Sequence, residues 1–127
     1  MMRSVLSSSA AYLVVAFAAG SVFLGPSAAA DKPTAAEITA AVSDHTYQGS
    51  MSTPASTFAE YYAPDGAIRG KGYTGKWRAE DGSMCFQYGD KAERCFGIEL
   101  QGPSMVMFKD GKIDGNGMLI SGNPNKY

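Results

Sequence analysis

Apolar and polar residues alternate with a period of two through most of the chain from His45 onward. In the first run, the odd-numbered residues from His45 to Met51 fall on one face and the polar residues between them fall on the other. Successive side chains of a β-strand point to opposite faces, so this pattern predicts a half-buried strand.

Similar extended runs follow, and turn-forming residues separate most of them. The predicted strands after the first are Thr57 to Ala63, Ala67 to Tyr73, Thr74 to Ala79, Ser83 to Tyr88, Arg94 to Gln101, Ser104 to Lys109 and Ile113 to Ser121. Asp81-Gly82 and Asp110-Gly111 are typical of tight hairpins, because both residue types tolerate positive φ. Parallel pairs need long crossovers, so about eight short strands joined by short turns predict an antiparallel meander.

One short helix is predicted before the strands, over residues 33 to 43. Thr34 and Glu37 have the spacing of a capping box, in which each side chain accepts from the other residue's backbone N–H. Ile38 and Val42 fall on one stripe, which indicates a helix that buries a single narrow face.

Glycines inside the predicted strands indicate how the sheet curves. Gly49, Gly70, Gly72 and Gly75 would permit sharp bends, and closure would remove the two exposed edges of a meander. The fold class is therefore mainly β, a small barrel or strongly curved sheet preceded by one helix. Trp77 should lie over Gly75 and Ala79, near Phe86 and Phe96, in a largely filled interior.

The two cysteines, Cys85 and Cys95, test the predicted register. In a hairpin centred on Asp90 they are directly opposite each other and point to the same face. We therefore expect a disulfide, which an oxidising compartment would favour.

The first thirty residues differ in composition from the rest of the chain. Arg3 is their only charged residue, Tyr12 to Leu24 is almost wholly apolar or small, and Ala28-Ala29-Ala30 offers a small-x-small cleavage site. The apolar run is shorter than the ~20 residues that span a bilayer. This order of a charged residue, an apolar run and a small-residue site predicts a cleaved signal peptide over residues 1–30 and a periplasmic or secreted location. The remainder, residues 31–127, is predicted to be a single domain with no membrane span after cleavage.

Composition and charge narrow the possible partners. Eleven basic and twelve acidic residues give a net charge of −1, which argues against nucleic acid as a partner. The chain contains no phosphate-binding glycine loop, HExxH or CxxC motif, so no cofactor is predicted.

One stretch of the chain resembles a known group of proteins. The sequence is similar here to small secreted proteobacterial proteins of unknown function with a calycin-like, that is lipocalin-like, sheet. The segments that carry the resemblance are Phe58-Ala-Glu-Tyr-Tyr-Ala-Pro-Asp-Gly, Tyr73-Thr-Gly-Lys-Trp77, Glu80-Asp-Gly-Ser-Met-Cys85-Phe-Gln-Tyr and Cys95. The pattern covers residues 45 to 121. The resemblance implies a meandering barrel in the periplasm and implies no catalytic residues.

The candidate binding residues are aromatic. Tyr61 and Tyr62 should point to opposite faces, and the exposed ring could form a contact patch with Tyr73 and Arg69. Trp77 would line any interior ligand site. These residues favour a non-catalytic module that binds an envelope protein through its surface or takes up a small apolar molecule.

Two alternatives stay open. His45, the only histidine, could bind haem or copper together with methionines such as Met51, although a hydrogen-bonded strand-end histidine is the simpler interpretation. A small hydrolytic enzyme is the other alternative, but it would lack an evident nucleophile and base pair.

Overall fold

The computed structural model describes residues 32–52 and 55–127. One helix is followed by eight strands: α1 (Ala35–Val42), β1 (His45–Ser52), β2 (Ala55–Tyr62), β3 (Ala67–Gly70), β4 (Tyr73–Glu80), β5 (Ser83–Gln87), β6 (Arg94–Gln101), β7 (Ser104–Lys109) and β8 (Lys112–Ser121). The predicted export signal of residues 1–30 lies outside the described residues. Among the helices that the structure describes, none has the length and hydropathy needed to cross a membrane.

The eight strands form a closed antiparallel barrel in which each strand pairs with its sequence neighbours. The last strand, β8, returns to pair with β1 and so closes the ring. The predicted mainly β meander is therefore confirmed, and of the two forms that the sequence left open the barrel is the one observed.

The barrel closes where two glycines face each other across the β1–β8 pair. Gly49 lies opposite Gly117 in the register. A Cβ atom added to Gly117 would come within 2.7 Å of the Cα atom of Gly49. The two backbones approach so closely because neither residue has a side chain.

Helix α1 begins as the capping box predicts. The Thr34 hydroxyl accepts from the Glu37 backbone N–H at 3.2 Å, and the Glu37 carboxylate accepts from the Thr34 backbone N–H at 2.8 Å. The Asp81 carboxylate also accepts from the Ala35 backbone N–H at 2.8 Å. The bond to Asp81 holds the start of α1 at the β4–β5 turn.

The core joins one face of α1 to the inward-facing residues of the strands. It consists of Ile38, Val42, Tyr47, Tyr62, Ile68, Trp77, Met84, Phe86, Phe96, Ile98, Met105, Met107 and Leu119. Helix α1 contacts β1, β4 and β5, and Ile38 and Val42 are fully buried there. The helix thus covers the end of the barrel at which the β4–β5 turn lies.

The structure corrects the sequence prediction between residues 67 and 79. The predicted strands Ala67 to Tyr73 and Thr74 to Ala79 are observed as Ala67–Gly70 and Tyr73–Glu80. Gly72 lies in the turn between them with a φ of +79° and not inside a strand. Positive φ suits glycine, and the sequence offers no second turn-forming residue beside it to mark this hairpin.

Candidate functional site

The predicted disulfide between Cys85 and Cys95 is present. The two residues are directly opposite in the β5–β6 register, with their Cα atoms 4.0 Å apart. Their side chains lie on the opposite face of the hairpin from Phe86 and Phe96, whose rings are 5.8 Å apart in the core. The bridge joins two neighbouring strands. Because both sulfur atoms are oxidised, neither cysteine is a thiol nucleophile.

The predicted patch of Tyr61, Tyr73 and Arg69 is not formed as one surface. Tyr61 lies opposite Arg69 on the outside of the barrel, where its hydroxyl donates to Asp44 at 2.7 Å. Tyr62 is fully buried in the core, as the alternation of faces predicts for one of the pair. Tyr73 instead turns its hydroxyl toward the inward-facing Glu60.

Trp77 lies in the core directly opposite Phe86, near which it is predicted to lie, but it does not cover Gly75. Its ring meets Tyr62 at 6.1 Å between centroids, and its Nε1–H donates to the Ala63 carbonyl at 3.0 Å. The ring that covers Gly75 is that of Tyr88 and not the indole. The expectation that Trp77 covers Gly75 is therefore wrong, because Tyr88 reaches across from the end of β5.

His45 and Met51 do not meet. They lie six residues apart on β1, which at ~3.3 Å per residue separates them by about 20 Å. The Nδ1 atom of His45 is 2.8 Å from the Ser43 carbonyl, which agrees with a hydrogen-bonded strand-end histidine. These two residues cannot hold one haem or copper ion together.

Among the histidine, cysteine, aspartate and glutamate side chains of the described ranges, one group of three is close enough to share a metal ion. It comprises Cys85, Glu93 and Cys95. Its two sulfur atoms are bonded to each other, so neither is a thiolate ligand.

Sequence reasoning missed the most unusual side chain of the barrel, Glu60. It lies on the inward face of β2 with only 5% of its surface exposed. Its carboxylate accepts hydrogen bonds from three tyrosine hydroxyls: Tyr62 at 3.1 Å, Tyr73 at 2.9 Å, and Tyr88 at 2.8 and 3.0 Å to its two oxygens. We call Glu60, Tyr62, Tyr73 and Tyr88 the carboxylate cluster.

Glycines make room for two rings of the carboxylate cluster. A Cβ atom on Gly70 would lie 2.5 Å from Cε1 of Tyr73, and one on Gly75 would lie 2.8 Å from Cδ1 of Tyr88. Each ring therefore rests directly on a glycine, and the two rings meet edge to face at 6.0 Å. Any larger residue at either glycine would push a hydroxyl away from Glu60.

The carboxylate cluster lies toward the end of the barrel that α1 leaves uncovered. Tyr73 is the first residue of β4, and Glu80, the last, precedes the turn to which α1 is attached. Tyr73 is 40% exposed while Glu60 is almost fully buried. Tyr73 thus separates the carboxylate from solvent at the mouth of the barrel, by which we mean this uncovered end.

Burial and hydrogen bonding act on Glu60 in opposite directions. Burial raises the pKa of its carboxyl group, and the hydrogen bonds from Tyr88, Tyr73 and Tyr62 lower it, with burial the larger effect. Burial, followed by the charge of Glu60, raises the pKa of Tyr73 and Tyr88 well above that of a free tyrosine. The hydroxyls are therefore stable donors at neutral pH.

No basic side chain within residues 32–52 and 55–127 forms an ion pair with Glu60. The ion pairs found there join Arg78 to Glu80 and Glu93 on the exposed surface. Each hydrogen-bond donor to Glu60 found among the described residues is an uncharged hydroxyl. The ionised carboxylate is consequently solvated by the protein but not neutralised by it.

The chain matches no protein-family model, no curated protein and no solved structure. The likeness to secreted proteins with a calycin-like sheet therefore remains a prediction. The arrangement of the carboxylate cluster is what bears on function.

The sequence does contain a signal for Glu60. In Phe58-Ala-Glu-Tyr-Tyr62, the period of two places the carboxylate on the same face as Phe58 and Tyr62. A charged residue on the inward face of a strand is rare unless it is paired or functional. The partners Tyr73 and Tyr88 lie at the start of β4 and just after β5, and only the barrel brings them together.

Proposed function

We propose that this protein is a non-catalytic binding module of the periplasm or the secreted fraction, and that it takes up a small molecule at the mouth of the barrel. The observation that supports this function is Glu60, a buried carboxylate behind the half-exposed ring of Tyr73. Small-molecule sites combine aromatic walls with a few convergent polar groups, which is the composition found here. The disulfide suits an oxidising compartment.

The rest of the barrel supports a small site rather than a deep cavity. In the core, the ring of Tyr62 lies 6.1 Å from that of Trp77 and 6.0 Å from that of Phe86. Around the carboxylate cluster, Phe58 and Tyr88 are only partly buried. A ligand of a few heavy atoms would lie against these two rings and reach toward Glu60.

The chemistry of the described side chains favours binding over catalysis. His45 is at a strand end with its Nδ1 beside a backbone carbonyl, and the two cysteines are oxidised. Nucleophilic catalysis needs a nucleophile with a base in hydrogen-bond reach. The carboxylate cluster instead presents a carboxyl group and tyrosines whose raised pKa keeps them protonated.

Amide NMR titration with a panel of small aromatic and aliphatic molecules tests this function. We expect saturable shifts centred on Gly70, Tyr73 and Gly75, and we expect Tyr73→Ala to change the affinity. Tyr61→Ala is the matched control, because Tyr61 lies on the outside of the barrel. Shifts confined to the outer surface, or none at millimolar concentrations, would contradict the proposal.

A second candidate function, binding of an envelope protein, is favoured by one exposed face. Met118 and Ile120 on the outer face of β8 are 47% and 38% exposed. Exposed apolar side chains that adjoin each other are typical of interaction surfaces. If this face carries the function, Met118→Lys should abolish chemical cross-linking of this protein to an envelope protein. Tyr73→Ala should leave that cross-linking unchanged.

A further inference from the structure

The carboxylate cluster contains one carboxylic acid, Glu60, that has no counterion among the described residues. Burying an ionised carboxylate costs several kcal/mol, which hydrogen bonds from neutral donors repay only in part. Glu60 has three such donors and no basic partner among the side chains that the structure describes. When Glu60 is ionised, a positive charge beside it would offset the cost of its burial.

The surroundings of Glu60 suit a cation that also carries apolar groups. Tyr47 lies directly opposite Glu60 in the β1–β2 register, and its ring meets Phe58 at 5.3 Å. Tyr73 and Tyr88 cover the other side. Aromatic faces attract ammonium groups, and this attraction strengthens when water is excluded.

Tyr73 is the donor that a ligand can replace. Tyr62 is fully buried and Tyr88 bonds to both carboxylate oxygens, whereas Tyr73 is 40% exposed and bonds to Oε1 alone. The turn at Gly72 precedes it, with space around that glycine. Rotation of the Tyr73 ring away from Gly70 would open Oε1 to the mouth without disturbing the core.

We propose that the mouth of the barrel binds a small organic ammonium ion, with the ammonium group at Oε1 of Glu60 in place of the Tyr73 hydroxyl and the apolar part against Phe58 and Tyr88. This inference rests on the proposed small-molecule site and names its ligand class. An ammonium group adds an ion pair to the hydrogen bond that it donates, whereas the Tyr73 hydroxyl that it displaces carries no charge. The geometry therefore selects a cation over a neutral molecule of the same shape.

Calorimetric and NMR titrations of the purified oxidised protein test the inference with two probes, 2-phenylethylammonium chloride and 2-phenylethanol. The probes have similar shape and differ in charge. We expect the ammonium ion to bind about tenfold or more tightly than the alcohol, because only the ammonium ion brings a charge to the buried carboxylate. Shifts should centre on Gly70 and Gly75.

Two substitutions of equal charge change identify the carboxylate responsible. Glu60→Gln should remove the preference for the ammonium ion. Glu99→Gln should leave the preference intact, because Glu99 is exposed on β6. Equal loss of preference in both variants would show that net charge, and not Glu60, attracts the probe.

A third variant keeps the test decisive if Glu60→Gln does not fold. Tyr73→Phe removes the hydroxyl that competes for Oε1, so the ammonium ion should bind about three- to tenfold more tightly. If the carboxylate cluster has only a structural role, Tyr73→Phe should not increase the affinity for the ammonium ion.

The outcomes separate the inference from the proposed function. Equal binding of the two probes at the mouth would contradict the preference for an ammonium ion and would still support the small-molecule site. Binding of neither probe, nor of any molecule in the panel, would overturn both.

Discussion

Glu60 shows how one buried carboxyl group can link stability to pH. Burial raises its pKa above the ordinary value of 4.5, so the folded protein holds the proton more firmly than the unfolded chain does. The stabilisation from that proton is complete below the ordinary pKa and is lost as pH rises through the raised pKa. Ionised Glu60 is thus a destabilising element at higher pH, unless a cation accompanies it.

The first prediction concerns this linkage. Between pH 4.5 and neutrality, the unfolding free energy of the unaltered protein should fall relative to that of Glu60→Gln, with a slope of up to ~1.4 kcal/mol per pH unit. Urea denaturation at a series of pH values measures the difference. Glu99→Gln serves as the control and should run parallel to the unaltered protein, since that residue is exposed. A constant difference between Glu60→Gln and the unaltered protein would contradict the raised pKa.

The second prediction compares two tyrosines of the carboxylate cluster. Tyr88→Phe removes the donor to both carboxylate oxygens in a partly buried position, so it should destabilise the protein by ~1.5–3 kcal/mol at neutral pH. Tyr73→Phe should cost less than about 1 kcal/mol, because water can replace the hydroxyl of a ring that is 40% exposed. Thermal and urea unfolding measure both. Equal losses would show that Tyr73 does not face solvent.

At the residue scale, the sequence predicts which face a side chain takes but not what it meets. Alternation correctly separates Tyr61 from Tyr62, and the same rule applied to Glu60 places a carboxylate inside. The hydroxyls of Tyr73 and Tyr88 lie 13 and 28 residues further along the chain. Their convergence depends on strand stagger and barrel curvature, which no local pattern encodes.

The β5–β6 hairpin is the element in which local signals were strongest. The register predicted from a hairpin centred on Asp90 places Cys85 opposite Cys95, as observed, and the observed strand Arg94–Gln101 has the predicted bounds. Turn residues, apolar alternation and the cysteine pair all specify the same pairing. In the β3–β4 hairpin the only turn-forming residues are Gly70 and Gly72, which also suit a bend within one strand, and its boundary is predicted wrongly.

The third prediction is that the disulfide stabilises this hairpin and with it the barrel. Replacing both cysteines by alanine should lower the unfolding free energy by ~2–3 kcal/mol, the chain-entropy value for a loop of this length. Denaturant unfolding with and without reductant measures the loss. The reductant should have no effect on the double variant, and labelling of Cys85 or Cys95 in the unreduced, denatured protein would refute the bridge.

At the scale of the whole molecule, closure depends on the β1–β8 pair. The sequence predicted curvature from glycines but left a barrel and a curved sheet as equal forms, because pairing of the first and last strands is a long-range property. The pair Gly49 and Gly117 is where this closure occurs. Other inward glycines accommodate side chains, as Gly75 does for Tyr88.

The fourth prediction tests this closure. Gly117→Ala should destabilise the barrel by at least ~2 kcal/mol, because its Cβ atom would meet the backbone of β1 at 2.7 Å. Gly97→Ala is the matched control: it also lies in a strand, and its Cβ atom would make an ordinary contact with Phe108 at 3.5 Å. Urea unfolding compares the two. Equal effects would mean that close approach at the β1–β8 pair is not limiting.

A closed ring of strands also makes pairing errors dependent on one another. In an open sheet, a one-residue slip in a hairpin reverses the facing of one strand and leaves the rest unaffected. Here β8 must meet β1 at a fixed offset, His45 opposite Ser121, after seven other pairings have been made. An uncompensated slip in any of them changes that offset and would prevent Gly49 from meeting Gly117. The β1–β8 pair therefore cannot form in its native register when an uncompensated slip is present in any earlier pairing.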